Sequence, residues 1–398
     1  MVAGFNNNPD FNGKGSGARW RSRGLFVGIL FLSIPLAILN QPEFTGDPAI
    51  YRRRMIELFQ GGLPYIDFNY EHLPLSLVPM ALAWILGGAI SPVLYTVVHA
   101  CLMAFCLAVT TGLLMSIEDV KGPNGATLRW LVISAPLFPI VLFRSDPFPL
   151  LLAVATIHAI AMGREKRTFF LEVAGISAKG WPALYAIPEW RRGRRVRAVV
   201  LAVATCSLVA ALLRFPGFSQ TRGASGLHSE SIVGSVVAAV RTIRGESLGL
   251  LYQAGATYID VPHWAWILTL NLGAGLGLLT FARFRSDPSF NGIVPVMAAL
   301  VTALLVASPL LSPQFLLWPT PFLALHRSKR VRQIALLVTG LTLVHMMGWN
   351  PNFVGNPWWL YVLNVRNLAL VFLAALCAWT VGLKAGSKPE PEEGNRLG

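Results

Sequence analysis

Long apolar runs are the dominant pattern of this chain. Runs of about twenty apolar residues recur from Leu25 to Val381, and that is the length an α-helix needs to cross a hydrocarbon core about 30 Å thick. The composition agrees, since 54% of the residues are hydrophobic and 13% are charged, against about 25% charged in a typical soluble domain. The pattern predicts an all-α polytopic membrane protein with about twelve transmembrane helices.

The net charge of +14 comes largely from short basic loops. Arginine and lysine cluster between the apolar runs at 19–23, 191–197, 283–285 and 327–332. Such clusters are typical of the cytoplasmic loops of plasma-membrane proteins, so the charge indicates topology and gives no support for a nucleic-acid partner. It places both termini inside the cell and the two longest connections, 41–74 and 214–262, on the extracytoplasmic side.

The predicted organisation is a disordered cytoplasmic N terminus at 1–23, a transmembrane domain at 24–385 and a disordered cytoplasmic tail at 386–398. One basic loop, 164–167, conflicts with this order, because counting the apolar runs as crossings puts it outside. Either the loop tolerates that placement, or the run 169–187 is a re-entrant hairpin, since Gly180 and Pro182 interrupt it.

A near-repeat occurs at the ends of two apolar runs, as FRSDPF from Phe143 and FRSDPS from Phe284. An aspartate followed by proline is typical of a turn or of a helix start. An arginine at the end of a span can extend to the membrane interface. We therefore predict that Asp146 begins a helix and that Arg144 reaches toward the headgroups.

The first extracytoplasmic loop is unusually rich in charge for this chain. Within it, 48–60 is predicted to be an amphipathic helix on the membrane surface, ended by two glycines at 61–62. Its apolar face carries Tyr51, Met55, Leu58 and Phe59. Asp47 precedes Pro48, and two interpretations stay open: the carboxylate caps the helix, or it is a catalytic base beside a site at the membrane surface.

Several motifs in a fixed order resemble one enzyme family. They are Asp47 just after the first span, Tyr51, the Gly-Gly-x-x-Tyr at 61–65, AKGWPALYAIPEWRRGRR from Ala178, GLHSESIVGSV from Gly226 and SPQFLLW from Ser312. Together they resemble the GT-C glycosyltransferases, and more narrowly the bacterial polyprenyl-phosphate-mannose-dependent α-mannosyltransferases of phosphatidylinositol mannoside and lipoglycan synthesis. The chain departs from that pattern at His228 and Ser229, and Arg222 is displaced from the Gly-Leu pair.

The resemblance implies a GT-C fold and transfer of a mannosyl residue from a polyprenyl-phosphate donor to a glycolipid acceptor, with inversion, outside the plasma membrane. Asp47 would then be the general base, ready at neutral pH because aspartate is ionised there. The candidates for binding the donor phosphate are cationic: Arg52, Arg53, Lys179 and Arg222. The candidates for binding substrate are aromatic or polar: Tyr51, Tyr65, Glu71, His72, His228, Glu230 and Gln314.

Other roles for these residues stay open. A lysine inside an apolar run usually marks a site, but Lys179 could also extend to the interface. The arginines at 52–54 could attract lipid headgroups, Glu230 could pair locally, and Gln314 could join two helices. No cluster has metal-ligand spacing and no nucleotide-binding motif occurs, so no metal or cofactor is predicted. A lipid-linked arabinofuranosyl- or other hexosyltransferase, and a non-catalytic glycolipid transporter or flippase, remain alternatives.

Overall fold

The structure is a computed structural model that describes residues 27–28, 46–122, 125–215, 226–253, 256–284, 290–347 and 357–382. The described chain is mostly helical. Four of its helices are long and apolar enough to cross a membrane: Pro92–Lys121, Arg195–Leu213, His263–Arg283 and Trp358–Thr380. The predicted class of helical membrane protein is confirmed to that extent. The first predicted span and both predicted disordered termini lie outside the described residues, apart from 27–28 in that span.

The helices are numbered here in chain order. Those before the second long connection are α1 Asp47–Phe59, α2 Leu77–Ala83, α3 Pro92–Lys121, α4 Ala126–Ser134, α5 Phe138–Val141, α6 Pro147–Ala161, α7 Glu165–Ala178, α8 Ala186–Arg191 and α9 Arg195–Leu213. The helices from the second long connection onward are α10 Ile232–Ile243, α11 His263–Arg283, α12 Phe290–Val306, α13 Thr320–Leu325, α14 Lys329–Met347 and α15 Pro357–Thr380. Short 3-10 turns lie at Pro74–Ser76, Ala135–Leu137, Trp181–Tyr185 and Pro313–Leu317, and a π-turn at Trp84–Gly88.

Helix α12 lies at the centre of the core. Most of its side chains are buried, and it packs against α11 and α15. A helix that is apolar on every side is expected in the middle of a bundle, because it has no face suited to water. The main apolar cluster continues from α12 to α4, α6 and α13, where Trp130 and Phe322 are fully buried.

A small sheet in the second long connection departs from the all-α prediction. Three antiparallel strands, β1 Leu227–His228, β2 Leu250–Gln253 and β3 Ala256–Ile259, pair in the order β1-β3-β2. In the register Leu227 is opposite Ile259, and both pack with α10 in a second apolar cluster. Strands of two to four residues are too short to show an alternating pattern in the sequence.

The segment 165–191 is a hairpin whose two ends lie together. Helix α7 ends before Lys179, and the chain returns through the Trp181–Tyr185 turn and α8. Arg194, just after α8, forms an ion pair with Glu165 at the start of α7, and Arg197 Nη2 donates to the Glu165 carbonyl at 3.2 Å. The basic segments 164–167 and 191–197 are therefore on one side of the molecule, which favours the re-entrant hairpin.

The segment 74–88, which includes the apolar run 75–86 that the hydropathy pattern predicts as a crossing, also returns to where it starts. Just before it, the His72 ring lies 5.5 Å from the Tyr51 ring. At its end, Arg52 Nε donates to the Gly88 carbonyl at 3.1 Å. Both ends thus contact neighbouring residues of α1, whereas the ends of a crossing segment lie about 30 Å apart. The apolar run alone gave no sign of this return.

The hairpin predicts a labelling pattern. Single cysteines replacing Lys166 and Arg195, in a chain whose four native cysteines are changed to serine, should react with an impermeant maleimide from the same side of membrane vesicles. Both positions are exposed and lie near opposite ends of the hairpin. A cysteine at Glu246, in the long second connection, should react from the other side. Labelling of 166 and 195 from opposite sides would show that the segment crosses.

Candidate functional site

Asp47 lies in the first turn of α1 and faces the loop before α6. Gly46 occupies the N-cap position, and no side chain caps the helix. The Asp47 carboxylate forms an ion pair with Arg144, and the Tyr51 hydroxyl donates to its Oδ2 at 3.1 Å. The capping interpretation of Asp47 is therefore wrong, because the carboxylate faces the protein and not the free backbone N–H groups of α1.

Both contacts of Asp47 use the same oxygen. Arg144 and Tyr51 approach Oδ2, and among the described residues no group bonds Oδ1. About a fifth of the Asp47 side chain is exposed, at 22%. The carboxylate is thus held in one orientation through Oδ2, while its other oxygen is left for a ligand.

Burial and the charge of Asp47 change the pKa values of Arg144 and Tyr51. Burial alone would lower the pKa of Arg144, but the negative charge of Asp47 beside it gives a net rise. Burial raises the pKa of Tyr51 well above its usual value, and the charge of Asp47 adds to the rise. Arg144 therefore stays cationic and Tyr51 stays a neutral donor at every physiological pH.

A second ion pair is formed by Asp146, which is two positions after Arg144 in the chain. Lys179 Nζ lies 2.6 Å from Asp146 Oδ1, and Trp318 Nε1 donates to the same oxygen at 2.7 Å. The ammonium group also lies 4.7 Å from the centre of the Phe315 ring and 4.9 Å from that of the Trp318 ring. A lysine held among aromatic faces gains cation–π attraction in addition to its ion pair. Lys179 is thus at the tip of the hairpin, in a site built from three parts of the chain.

The FRSDPF turn supplies a residue to each ion pair, and this was not predicted. Asp146 does occupy the N-cap position of α6, but its side chain makes no cap hydrogen bond. Arg144 forms an ion pair with Asp47, a contact that the sequence did not predict. The signal available in the sequence was an arginine and an aspartate in a short turn between two apolar runs, where unpaired charge is costly.

The first loop surrounds Tyr51 with candidate substrate-binding residues. The His72 ring meets the Tyr51 ring edge to face, and Glu71 Oε1 lies 3.7 Å from His72 Nε2. Tyr65 has a left-handed backbone, with a φ of 71°, and its hydroxyl donates to the His72 carbonyl at 2.7 Å. The structure therefore brings Tyr51, His72, Glu71 and Tyr65 together beside Asp47.

Arg52 and Arg53 lie in a different place from Asp47. They line a groove of about 250 Å³ between α1 and the start of α3, together with Pro48, Ala49, Ile56, Pro92 and Thr96. Arg52 is held by the Gly88 carbonyl and lies over the Trp84 ring, and Arg53 is exposed. The structure therefore does not bring these two arginines to the Asp47 carboxylate. Arg222 lies outside the described residues.

His228 and Glu230 belong to a buried network under the second connection. Glu230 Oε2 accepts a hydrogen bond from Arg366 Nη1 at 3.1 Å and lies 3.5 Å from His345 Nε2. Arg366 Nη2 also donates to the Glu230 carbonyl at 2.9 Å, and the side chain of Asn367 is hydrogen-bonded to Arg366. Glu230 therefore pairs with residues distant in the chain, Arg366 and His345, and not locally as one interpretation of the sequence has it. Arg366 could not be identified from the sequence, because it lies more than a hundred positions away.

The two regions of the site are close enough to interact electrostatically. Burial lowers the pKa of His228, the charge of Glu230 raises it, and Arg366 and Arg144 both lower it. The charge of Arg144 therefore acts on the pKa of His228, and its one ion pair among the described residues is with Asp47. Gln314 is nearly buried and accepts a hydrogen bond from Ser312 Oγ at 2.5 Å, in the same turn that carries Phe315. In the described part of the chain no group of three metal-ligating side chains occurs.

The Glu230 network predicts a pH-dependent loss of stability. Burial alone would raise the pKa of Glu230, but His345 and Arg366 lower it from 4.5 to about 2. A carboxyl group with a lowered pKa stabilises the fold above its unfolded pKa, and this contribution is lost as the pH falls through the folded value. Glu230→Gln should therefore cost about 3 kcal/mol at pH 7 by leaving Arg366 unpaired, and should flatten the decline in thermal stability between pH 5 and pH 3.

The control is Glu246→Gln, which removes an exposed carboxylate of the same connection. This variant should unfold at the wild-type temperature at pH 7 and keep the wild-type pH profile. A Glu230→Gln protein as stable as the wild type at pH 7 would contradict a stabilising role for the network.

Comparisons with known proteins add no relative of this chain. No family model, no curated protein and no solved structure matches it. The contacts of the site place a partly exposed carboxylate, its paired arginine and an aromatic-lined lysine in one region, bordered by the aromatic side chains of the first loop.

Proposed function

We propose that this protein is a membrane glycosyltransferase that moves a sugar from a polyprenyl-phosphate donor to a glycolipid or lipoglycan acceptor. The observation that carries the proposal is the pairing of Asp47 with Arg144 beside the pairing of Asp146 with Lys179. Transfer from a sugar phosphate needs a base for the acceptor and cations for the departing phosphate. Both kinds of group meet at the FRSDPF turn. The family resemblance favours mannose as the sugar.

The proposed reaction is a single displacement. The acceptor hydroxyl oxygen attacks the anomeric carbon of the donor, and the bond from that carbon to the phosphate oxygen breaks. The bonding electrons leave with the polyprenyl phosphate, and the hydroxyl proton goes to Asp47 Oδ1, the oxygen without a partner among the described residues. A β-linked donor then gives an α-linked product.

The aromatic residues beside Lys179 suit the sugar end of such a donor. Phe315 and Trp318 stack at a centroid distance of 4.5 Å, and Trp318 stacks on Trp181 at 5.7 Å. Flat apolar faces next to charged groups are typical of sites for amphipathic ligands. Lys179 holds its charge between these rings and Asp146. Trp181 and Trp318 are buried and Phe315 is partly exposed, so a phosphate could approach Lys179 while the sugar lies against Phe315.

The topology supports an extracytoplasmic site in the plasma membrane. The basic segments 164–167 and 191–197 lie together, and under the charge rule they would face the cytoplasm. Lys179 is at the far end of the hairpin from them. Because 74–88 and 165–191 each return to their own side, we expect two fewer crossings than the roughly twelve that hydropathy suggests.

A glycolipid transporter is the second candidate, and one observation favours it. The hairpin contains Glu172, which is fully buried and whose carboxylate has no hydrogen-bond partner in the described chain. Broken helices that carry buried charge at membrane depth are typical of transporters. A transporter moves its glycolipid unchanged, whereas a transferase releases polyprenyl phosphate, so product analysis distinguishes the two.

Asp47→Asn should abolish turnover. Purified protein supplied with polyprenyl-phosphate mannose and a mannolipid acceptor should release polyprenyl phosphate, and the variant should be slower by about a thousandfold because its amide cannot take the proton. The measurement is the rate of polyprenyl phosphate release, with thermal unfolding measured in parallel.

The matched control is Glu57→Gln in the same helix. Glu57 pairs with Arg54 at 3.3 Å on a partly exposed surface, where an ion pair contributes little, so this variant should keep wild-type turnover. Full turnover by Asp47→Asn would overturn the assignment of the base, and no release by the wild type would overturn the donor class.

A further inference from the structure

We infer that Arg144 is shared between the base and the donor phosphate, so that arrival of the phosphate releases Asp47 for catalysis. This inference rests on the proposed function and adds a regulation step to it. The inference assigns Arg144 to the site, whereas the FRSDPF sequence predicts that this arginine reaches the lipid headgroups. Its ion pair with Asp47, two residues before the Asp146 that holds Lys179, gives it a different role.

Asp47 is already paired when no substrate is bound. Its Oδ2 forms an ion pair with Arg144 and accepts a hydrogen bond from Tyr51. A carboxylate that shares its charge with a guanidinium group is a weaker proton acceptor than a free one. The base is therefore in place, but Arg144 occupies it before the donor arrives.

The two ion pairs differ in how easily a ligand reaches them. The side chains of Asp47 and Arg144 are 22% and 25% exposed, and that of Lys179 is 20% exposed. Asp146 is only 3% exposed and is also held by Trp318. A ligand therefore meets Arg144 and Lys179 as cations, while Asp146 stays buried and keeps Lys179 in place.

The guanidinium group of arginine is well suited to bind phosphate. A guanidinium group has five N–H donors in a planar fork and binds phosphate through two parallel hydrogen bonds. A phosphate group that reaches Arg144 competes with Asp47 for the same donors. Each hydrogen bond that moves from the carboxylate to the phosphate returns negative charge to Asp47 and makes it a stronger base.

Binding of the donor phosphate and proton removal by Asp47 are therefore coupled. Proton removal from the acceptor becomes efficient only when the sugar phosphate is present, so the site does not activate water or a stray alcohol in the absence of donor. Tyr51 keeps hold of Oδ2 during the exchange, and the carboxylate does not rotate away when Arg144 leaves it.

Binding of a simple lipid phosphate tests this coupling without any turnover. The probe is farnesyl monophosphate, titrated into the full-length protein in nanodiscs, with farnesol as the phosphate-free control. Asp47→Asn should tighten binding by about threefold or more, because Arg144 loses its competitor. Arg144→Gln should weaken binding by about tenfold or more, because a charged hydrogen-bond donor is removed.

The double variant separates coupling from two independent effects. In Asp47→Asn combined with Arg144→Gln, the tightening produced by Asp47→Asn should disappear, because there is no arginine left to release. Two surface variants are matched controls and should bind as the wild type does: Glu246→Gln, which loses an exposed carboxylate, and Arg330→Gln, which loses an exposed arginine.

The outcomes distinguish this inference from the proposed function. Equal binding by wild type and Asp47→Asn would overturn the sharing of Arg144 and leave a lipid-phosphate donor in place. Equal binding of farnesol and farnesyl phosphate by the wild type would overturn both. If Arg144→Gln does not fold, Arg144→Lys takes its place, and it should bind more weakly than wild type because lysine offers no planar fork.

Discussion

The ion pair between Asp146 and Lys179 holds together the parts of the chain that form the site. A lysine at the tip of a membrane hairpin is costly unless its charge is paired, and the Asp146 oxygen 2.6 Å away supplies that pairing. Trp318 donates to the same oxygen, which adds the turn before α13 to the assembly. Since Arg144 is two residues before Asp146, fixing the start of α6 also fixes the arginine that faces Asp47.

The two carboxylates of the site have different surroundings, and this divides their roles. Asp146 is buried, and its Oδ1 is held by both Lys179 and Trp318, so it is suited to hold a cation in place. Asp47 is reachable and has one oxygen without a described partner, so it is suited to exchange a proton. The FRSDPF turn therefore contributes Asp146, which holds Lys179, and Arg144, which contacts Asp47 of α1.

Local features of the sequence predicted what depends on neighbouring residues. Helix α1 was placed within one residue at each end, because Pro48 and the two glycines at 61–62 mark its ends. Asp47 and Lys179 stood out as charges in unusual positions. What could not be predicted depends on contacts between distant parts of the chain: Arg144 with Asp47, and Glu230 with Arg366. The return of 74–88 to α1 was missed for the same reason, since apolar length alone does not reveal where a segment ends.

The length of the hairpin limits how a lipid can reach its tip. Helix α7 has 14 residues and so rises about 21 Å, less than the roughly 30 Å of a hydrocarbon core. With Glu165 at one membrane surface, Lys179 stops short of the opposite surface by about 9 Å. Gly175 allows Pro182 of the returning limb to pack closely, since an added Cβ would lie 3.1 Å from it, and the tip stays narrow. Under the proposed function, the headgroup of the donor must sink below the plane of its neighbours to meet Lys179, which would thin the bilayer beside the protein.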